Sequence, residues 1–326
     1  SLHAGEHAYR LLEGATEHDL VLVLLSGGGS ALITWPDDDL TLTDMRTLTN
    51  VLLRSGATIN EVNALRRRCD RVKGGGLLQA ALPATIAVLA LSDVIGDDLA
   101  AIASGPFLLA GVGSQRQKVV DEIVARYRLA EQLPGHLVRF LAREPRSQES
   151  SSEPSVPHTI IANVAAAARG ALDEAQARGL ATELITSSLH GEARDVGAEL
   201  ARQLASVAAD RRPCCLIAGG ETTVTIRGDG LGGRNQELAL AAVEPLAGHQ
   251  NLLLIALATD GGDGPTDAAG AVVDGDTLQN GQMLALDPRE FLWRNDAYHY
   301  FEALGDLLKP GPTQTNVNDL VLLFAF

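Results

Sequence analysis

Four short apolar runs, each ending in a turn of glycines or carboxylates, constrain the fold of this chain more than any other feature. They are VLVLLS (21–26), ATIAVLALS (84–92), CCLIAG (214–219) and LLLIALA (252–258). Runs of this length that are apolar throughout are typical of strands buried in parallel sheets. Outside these runs the apolar residues follow helical spacing, as at 2–16, 165–178, 193–208 and 232–246. This alternation predicts an α/β protein.

The segment 144–157, EPRSQESSSEPSVP, is rich in Ser, Glu and Pro and has no apolar periodicity, so we predict a linker there. At 326 residues the chain exceeds the size at which one core usually stops growing. Two domains are therefore predicted, 1–150 and 156–326. We expect strands at 158–162, 181–187 and 319–326 in the second. The first shows only two strands, too few for a covered parallel sheet, so we expect it to be incomplete at its N-terminus.

The formal charge of −15 disfavours nucleic acid and anionic membranes as partners, because both reward clustered Lys and Arg. No apolar run approaches the ~20 residues that span a bilayer, and no charged segment with an apolar stretch opens the chain. The three cysteines have neither disulfide nor metal-ligand spacing. These features predict a protein of the reducing cytoplasm.

A glycine-rich turn follows the first predicted strand. It comprises Ser26, Gly27, Gly28, Gly29 and Ser30. Backbone N–H groups of such a turn can converge on an anion, so the turn is a candidate phosphate or carboxylate cradle. It matches neither the P-loop nor the dinucleotide fingerprint. A tight turn that needs small residues explains the same letters.

The densest basic run is NALRRRCDRVKGGG (63–76). If one helix continues through it, Arg66 and Lys73 lie two turns apart on one face. Asn63 and Arg66 are then candidate ligands for substrate or nucleotide, and Lys73 is a candidate catalytic residue that contacts a phosphate. A lysine that offsets a helix dipole before a glycine cap is the alternative.

Carboxylates follow two of the predicted strands at the edge where α/β proteins bind ligands. Asp93 and Asp97 lie in SDVIGDD, and Asp260 lies in TDGGDG. Mg²⁺ is held through one or two carboxylates and water, so these three are the candidate metal ligands. Helix capping by either Asp97 or Asp98 is the alternative in the first of these turns.

Arg234 stands at the predicted start of a helix, after a predicted glycine-bounded hairpin in GGETTVTIRGDGLGGRNQE (219–237). A cation does not suit that end of the helix dipole, which suggests an anionic ligand bound by both. Neighbouring polar residues are further candidate ligands for substrate or nucleotide. They are Glu221, Thr222, Asn235, Glu237, Thr315, Asn316 and Asn318.

The chain resembles the type 2 glycerate kinases, a family that carries the MOFRL domain and is often labelled hydroxypyruvate reductase. The resemblance rests on SGGGSAL, SGATINEVNALRRRCDRVKGGGL, LSDVIGDDLAAIASGP, HGEARDV, GGETTVTIRGDGLGGRNQE, TDGGDGPTDAAGA and TNVNDL, which occur in order from about residue 19 onward. It implies a Rossmann-like first domain and a mixed-sheet α/β MOFRL domain. The reaction it implies is phosphorylation of D-glycerate to 2-phosphoglycerate, with ATP and Mg²⁺, in a cleft between the two.

The resemblance also implies roles for single residues. The catalytic arginine of the family falls on Arg234, and a catalytic lysine is expected in a stretch that would precede Ser1. We add that the glycine-rich turn and Lys73 hold phosphates. Phe107, Gly76, Gln314 and the run Arg68-Cys69-Asp70 depart from the family pattern.

Two other functions stay open at this point. One is an NAD(P)H-dependent hydroxypyruvate reductase, although no dinucleotide fingerprint is present. The other is a non-catalytic protein that binds glycerate or nucleotide. The partners expected are small molecules, with a homodimer left open.

Overall fold

The computed structural model describes residues 1–109, 113–143 and 156–326. The chain forms two compact units, Ser1–Leu91 with Asp97–Ile161, and Ser92–Gly96 with Ala162–Phe326. Apart from its last two residues, the linker predicted at 144–157 lies outside the described residues. The domain boundary placed there stays a prediction. Within the described part of the chain, no helix combines the length and apolar character needed to cross a bilayer.

The first unit contains a three-stranded sheet in the order β1-β2-β3. The strands are β1 (Leu20–Leu25), β2 (Thr85–Leu91) and β3 (His158–Ala162). Strands β1 and β2 run parallel, with Leu20 opposite Thr85 and Leu25 opposite Ala90. Strand β3 was predicted in the second domain, and that placement was wrong because β3 lies beside β2. The apolar pattern of five residues predicts a strand, but it does not say which sheet the strand joins.

Strand β1 is buried on one side only. Leu20, Leu22 and Leu24 are 67%, 57% and 75% exposed, whereas Val21 and Val23 pack against the core of the unit. The expectation of a strand buried on both faces was therefore wrong for this strand.

The described part of the first unit also contains eight α-helices. They are α1 (Leu2–Glu13), α2 (Gly29–Leu32), α3 (Leu42–Arg54), α4 (Ile59–Cys69), α5 (Gly76–Ala81), α6 (Gly113–Arg126), α7 (Leu129–Gln132) and α8 (Gly135–Leu141). Capping boxes start α3 and α4, through Thr41 with Asp44 and Thr58 with Glu61. Helix α4 ends at Cys69, and Asp70 is extended. The spacing argument required Arg66 and Lys73 to lie on one helix. They do not, because α4 ends before Lys73.

The second unit contains a six-stranded mixed sheet in the order β4-β5-β9-β6-β7-β8. The strands are β4 (Ala181–Leu189), β5 (Cys214–Gly220), β6 (Leu252–Ala258), β7 (Gly270–Asp274), β8 (Leu307–Leu308) and β9 (Asp319–Ala325). Strands β4 and β5 are parallel, and β9 is antiparallel to both β5 and β6. The α/β class with one mixed sheet is confirmed.

Six helices pack in the second unit. They are α9 (Val164–Ala177), α10 (Ala193–Ala205), α11 (Arg234–Leu246), α12 (Thr277–Met283), α13 (Pro288–Trp293) and α14 (Ala297–Leu304). Helices α10 and α11 approach closely at Gly197. A Cβ atom placed on this glycine would lie 2.0 Å from the Leu238 carbonyl oxygen. Residues 221–233, all described, form no hairpin. Only Thr223 pairs, in an isolated bridge with Glu192.

Candidate active site

Three strands of the second unit bring their ends together at one edge of the sheet. Strands β5 and β6 finish at Gly220 and Ala258, and β9 begins between them, so Asp319 lies opposite both residues. A central strand that starts where its neighbours end places its first side chain among their loops. The loop after β5 carries Glu221, and Arg234 begins α11 thirteen residues later.

Arg234 is held in place by two carboxylates. Its Nε and Nη2 atoms donate to the two oxygens of Asp319 at 2.6 and 3.1 Å, and Nη1 donates to Glu221 at 2.5 Å. The guanidinium has five N–H groups, so one N–H on each Nη nitrogen has no partner among the described residues. The Arg234 side chain is 32% exposed, which leaves these donors accessible to a ligand.

The charges of this cluster perturb one another. Burial alone would lower the pKa of Arg234, but the carboxylates of Asp319 and Glu221 raise it. Burial raises the pKa of Asp319, and the Arg234 guanidinium opposes that shift. Arg234 therefore stays a cation. The orientation of its guanidinium group is fixed by the buried carboxylate of Asp319 on one side and the exposed carboxylate of Glu221 on the other.

Asp263 occupies the N-terminal end of α11. Its carboxylate accepts hydrogen bonds from the backbone N–H groups of Asn235 (3.2 Å) and Gln236 (2.8 Å), which is the task of an N-cap. A Cβ on Gly233 would lie 2.2 Å from the Asp263 Cγ atom, so this approach requires glycine there. Burial raises the pKa of Asp263 to about 6.

The dipole argument predicted that the N-terminal end of α11 and Arg234 bind one external anion together. The structure does not support this prediction. Protein carboxylates already satisfy both, Asp263 at the helix and Asp319 at the guanidinium. What remains for a ligand is the pair of unpartnered N–H groups on Arg234.

Both predicted ligands on α11 lie inside the protein. Asn235 is fully buried, and its Oδ1 atom has no hydrogen-bond partner in the described structure. Glu237 is 2% exposed and accepts from Arg194 Nη2 at 2.7 Å and from Asn295 Nδ2 at 2.8 Å. Glu237 thus belongs to an internal network, and its carboxylate does not reach the surface.

The remaining predicted ligands of this unit differ in exposure. Glu221, Thr315, Asn316 and Asp260 are exposed, whereas Thr222 and Asn318 are buried. The Nδ2 atom of Asn318 is buried without a partner among the described residues. Unpaired buried amides are costly, and here Asn318 precedes Asp319 and Asn235 follows Arg234 in the sequence.

In the first unit the glycine-rich turn lies on a second turn. Ser30 Oγ and Ser104 Oγ are 2.8 Å apart, and a Cβ on Gly29 would lie 2.8 Å from the Ala103 Cβ atom. Gly28 has φ +77°, a conformation that favours glycine. The small residues of this turn therefore have a packing reason, which leaves its proposed role as a phosphate cradle open.

Lys73 is buried in an ion pair. Its Nζ atom donates to Asp70 Oδ2 at 2.6 Å and to the Ile33 carbonyl at 3.0 Å, and the two charged side chains are 3% and 0% exposed. In this arrangement the ammonium group pairs with Asp70 and is shielded from solvent. Arg66, by contrast, is partly exposed and forms no hydrogen bond or ion pair within the described structure. Burial lowers the pKa of Arg66.

The candidate metal ligands are spread over both units. Asp93 lies in the second unit, and burial raises its pKa. Asp97 lies in the first unit, and Asp260 accepts from the backbone N–H of Gly262 at 3.0 Å. In the described ranges, no group of three or more His, Cys, Asp or Glu side chains is arranged to hold a metal ion. These residues fit Mg²⁺ only where one or two carboxylates share it with substrate phosphates.

Sequence reasoning did not predict the roles that four residues have in the site of the second unit. Asp319 orients Arg234, Asp263 caps α11, and Arg194 and Asn295 hold Glu237. The first two stand in glycine- and asparagine-rich stretches, where the sequence indicates polar groups able to bind a metal ion or hydroxyls but does not indicate their partners. Arg194 and Asn295 carry no local signal, because their partners lie 43 and 58 positions away.

Two protein-family models match the chain. One is described as a domain of unknown function, DUF4147, and matches residues 1–142. The other is the MOFRL family, which matches residues 214–319. The second match covers β5, β6, α11 and Asp319, and so contains the whole Arg234 cluster.

The chain is similar over nearly all of its length to proteins named as glycerate kinases. It is 40% identical to the D-glycerate 2-kinase of Thermotoga maritima, covering 96% of this chain and 74% of that protein. It is 38% identical to the glycerate 2-kinase of Pyrococcus horikoshii, covering 99% and 74%. The crystal structure of a Thermotoga maritima glycerate kinase superposes with a TM-score of 0.90 at 37% identity, covering 100% of this chain and 77% of the other. The chain spans about three quarters of these relatives, and it belongs to the type 2 glycerate kinase family, which carries the MOFRL domain.

Proposed function

We propose that this protein transfers the γ-phosphoryl group of ATP to the 2-hydroxyl of D-glycerate. The observation that carries the proposal is Arg234, a cation fixed by Asp319 and Glu221 with two N–H groups to spare. Phosphoryl transfer needs positioning and charge stabilisation more than covalent chemistry from the protein. The names of the relatives support glycerate as the acceptor.

The chemical step balances without a redox partner. The glycerate hydroxyl oxygen forms a bond to the γ-phosphorus, the bond from that phosphorus to the bridging oxygen breaks, and ADP leaves. Negative charge spreads over the phosphoryl oxygens in the transition state. The spare N–H groups of Arg234 would donate to those oxygens, and because Asp319 holds the guanidinium beforehand, little reorganisation is needed.

Mg²⁺ bound with the nucleotide would neutralise charge on the β- and γ-phosphates. Asp93, Asp97 and Asp260 remain our candidates for holding it. The glycine-rich turn Ser26–Ser30 remains a candidate phosphate cradle, and Asn63, Arg66, Glu221 and Thr222 remain candidate ligands. For Lys73, the buried pair with Asp70 favours a structural role over the phosphate contact first expected.

The test is a coupled ADP-release assay with ATP, Mg²⁺ and D-glycerate, run on this chain and on the complete natural gene product. Arg234→Gln should lower kcat by a factor of about 100 or more, since a donor to a developing anion is worth that much. Arg289→Gln is the matched control, because Arg289 is an exposed, ion-paired arginine of the same unit, and it should leave kcat unchanged.

Phosphorus NMR identifies the product. A phosphate on C2 couples to one carbon-bound proton and gives a doublet, whereas a phosphate on C3 couples to two and gives a triplet. A triplet would correct the position of transfer. NADH oxidation with hydroxypyruvate, in the absence of ADP release, would replace the kinase with the reductase. Equal kcat in wild type and Arg234→Gln would remove Arg234 from the mechanism.

A further inference from the structure

Two polar side chains of α4 have no partner, although the protein withdraws both from solvent. Asn63 is 7% exposed, and its amide forms no hydrogen bond with the described residues. Arg66 is partly buried and forms neither a hydrogen bond nor an ion pair with them. Buried amides and guanidinium groups are normally paired, so this unpaired couple indicates a ligand site.

Both side chains lie on the same side of α4. Residues at positions i and i+3 of a helix are neighbours, with Cβ atoms about 5–6 Å apart. Long side chains on a helix lean toward its N-terminus. The side chain of Arg66 therefore extends over the turn that carries Asn63, and one small ligand can contact both.

No carboxylate among the described residues compensates the charge of Arg66. Burial lowers the pKa of Arg66, and nothing opposes that shift. The next residue, Arg67, differs, because the charge of Asp98 opposes the lowering of its pKa. A guanidinium keeps its proton in proteins. Arg66 thus carries a partly desolvated positive charge, which a bound anion would stabilise.

This side of α4 packs near the glycine-rich turn of the first unit. Arg67, one turn after Asn63, donates to the Ala100 carbonyl at 3.2 Å. Helix α4 also contacts the short 3₁₀ helix Ile102–Ser104, and Ser30 of the glycine-rich turn is bonded to the last residue of that helix. One segment, 100–104, therefore contacts both α4 and the candidate phosphate cradle.

We propose that Asn63 and Arg66 bind the carboxylate of a small hydroxy acid. The planar N–H groups of a guanidinium match the two oxygens of a carboxylate, and one positive charge balances one negative charge. The amide of Asn63 presents an acceptor beside a donor, so its oxygen can accept from a hydroxyl group of the ligand. A fully ionised phosphate has only acceptors and would leave that oxygen unpaired. The identification of the hydroxy acid as D-glycerate rests on the proposed function, whereas the class of ligand does not.

Arg54 provides a matched control. It lies in the last turn of α3, is exposed, and forms no hydrogen bond or ion pair with the described residues. Arg54→Gln removes the same charge from the same unit as Arg66→Gln does. It therefore separates a binding site from a general effect of net charge.

The experiment is isothermal titration calorimetry of the full chain with D-glycerate and with D-glyceramide, in which a neutral amide replaces the carboxylate. Wild type should bind D-glycerate saturably, and D-glyceramide about tenfold more weakly. Arg66→Gln should weaken D-glycerate binding by about tenfold or more, the loss of a charge-assisted hydrogen bond, and Asn63→Leu by about fivefold. Arg54→Gln should change it by less than about twofold.

Thermal unfolding distinguishes binding from a structural role. Because neither side chain has a partner among the described residues, Arg66→Gln and Asn63→Leu should leave Tm unchanged or raise it. Two groups that hold the fold together would lower Tm when replaced. If Arg66→Gln does not fold, Asn63→Leu decides the outcome by its loss of affinity at an unchanged Tm.

Three results would overturn the inference. They are the absence of saturable D-glycerate binding in wild type, an equal loss in Arg54→Gln and Arg66→Gln, and an equal loss of D-glycerate and D-glyceramide affinity in Arg66→Gln. Titration with inorganic phosphate adds a further check. Phosphate binding that falls in Arg66→Gln, with D-glycerate binding unchanged, would assign the cation to phosphate and also reject the inference.

Failure of the proposed function gives a different pattern. Binding of D-glycerate that depends on Arg66, without ADP release, would reject the kinase and leave this site standing. Conversely, ADP release with the same KM for D-glycerate in wild type and Arg66→Gln would keep the kinase and reject the site.

Discussion

The buried pair of Arg194 and Glu237 permits a sharp test of how the second unit is held together. Arg194 donates to Glu237 Oε1 through Nε at 3.0 Å and Nη2 at 2.7 Å. Asn295 donates to the other oxygen at 2.8 Å, and its own Oδ1 accepts from the backbone N–H groups of Arg227 and Gly228. The pair thus anchors the segment that leads from Glu221 to α11.

The perturbation is Arg194→Met, alone and combined with Glu237→Gln. The side chains are 14% and 3% exposed, so removal of the arginine leaves a buried carboxylate with one amide donor. Breaking such a pair costs about 3–5 kcal/mol of unfolding free energy. With Glu237→Gln present, no charge remains to be desolvated. The double variant should therefore be more stable than Arg194→Met by about 1–2 kcal/mol.

Urea unfolding measures these differences. Because the protein has two units, a signal from the second unit alone is needed. The chain has two tryptophans, and Trp293, at the end of α13, is the one in the second unit. In a Trp35→Phe background its fluorescence reports the transition of that unit.

The control cycle uses Arg289 and Glu244, an exposed pair of the same unit with a 2.6 Å contact and exposures of 76% and 42%. Its coupling energy should be below about 1 kcal/mol. Additive effects of Arg194→Met and Glu237→Gln, to within about 0.5 kcal/mol, would refute the account of a buried pair.

Three further predictions concern stability. Burial raises the pKa of Asp263 to about 6 from 3.8. The contribution of this carboxyl group to stability is therefore fully present below about pH 4 and is lost as pH rises to about 6. Urea titrations should show that wild type, relative to Asp263→Asn, loses up to about 3 kcal/mol of unfolding free energy across that window. Gly197→Ala should lower Tm, because the new Cβ atom would overlap a backbone carbonyl of α11 and overpacking costs about 1–3 kcal/mol. Gly170→Ala in α9 should raise Tm, because its Cβ atom would meet nothing within 4 Å. Lys73→Met should lower the free energy of unfolding by about 3 kcal/mol, because it leaves the Asp70 carboxylate buried without its ion-pair partner. Unchanged stability together with lost turnover would instead support a catalytic role for Lys73.

Much of the second unit was predictable because its elements have strong local signals. Strands β5 and β6 are apolar runs bounded by glycine and polar turns, and α10 keeps its periodicity over 13 residues. Strand β8 has two residues and α13 has six, too few for either period to show. Tertiary pairing decides such elements.

Predicting the site met a different limit. The position of Arg234 at a helix start was correct, but its partner Asp319 is 85 positions away, and no spacing rule reaches that far. The error over Lys73 was local: the spacing argument required α4 to continue, whereas it ends at Cys69 and the chain turns extended at Asp70. A buried aspartate that collects two backbone N–H groups and a lysine competes with the next helical turn.

The position of β9 in the middle of its sheet has a consequence for how the protein is made. Strands β5 and β6 do not pair with each other; each pairs with β9, which pairs Ala325 with Cys214 roughly a hundred positions earlier. On the ribosome, β5 and β6 are synthesised before β9. The edge of each strand that pairs with β9 stays unpaired until β9 emerges. The Arg234 cluster cannot assemble before then, because Asp319 is the first residue of that strand. Folding of this unit should therefore be late and slow, and the nascent chain should depend on chaperones while it waits.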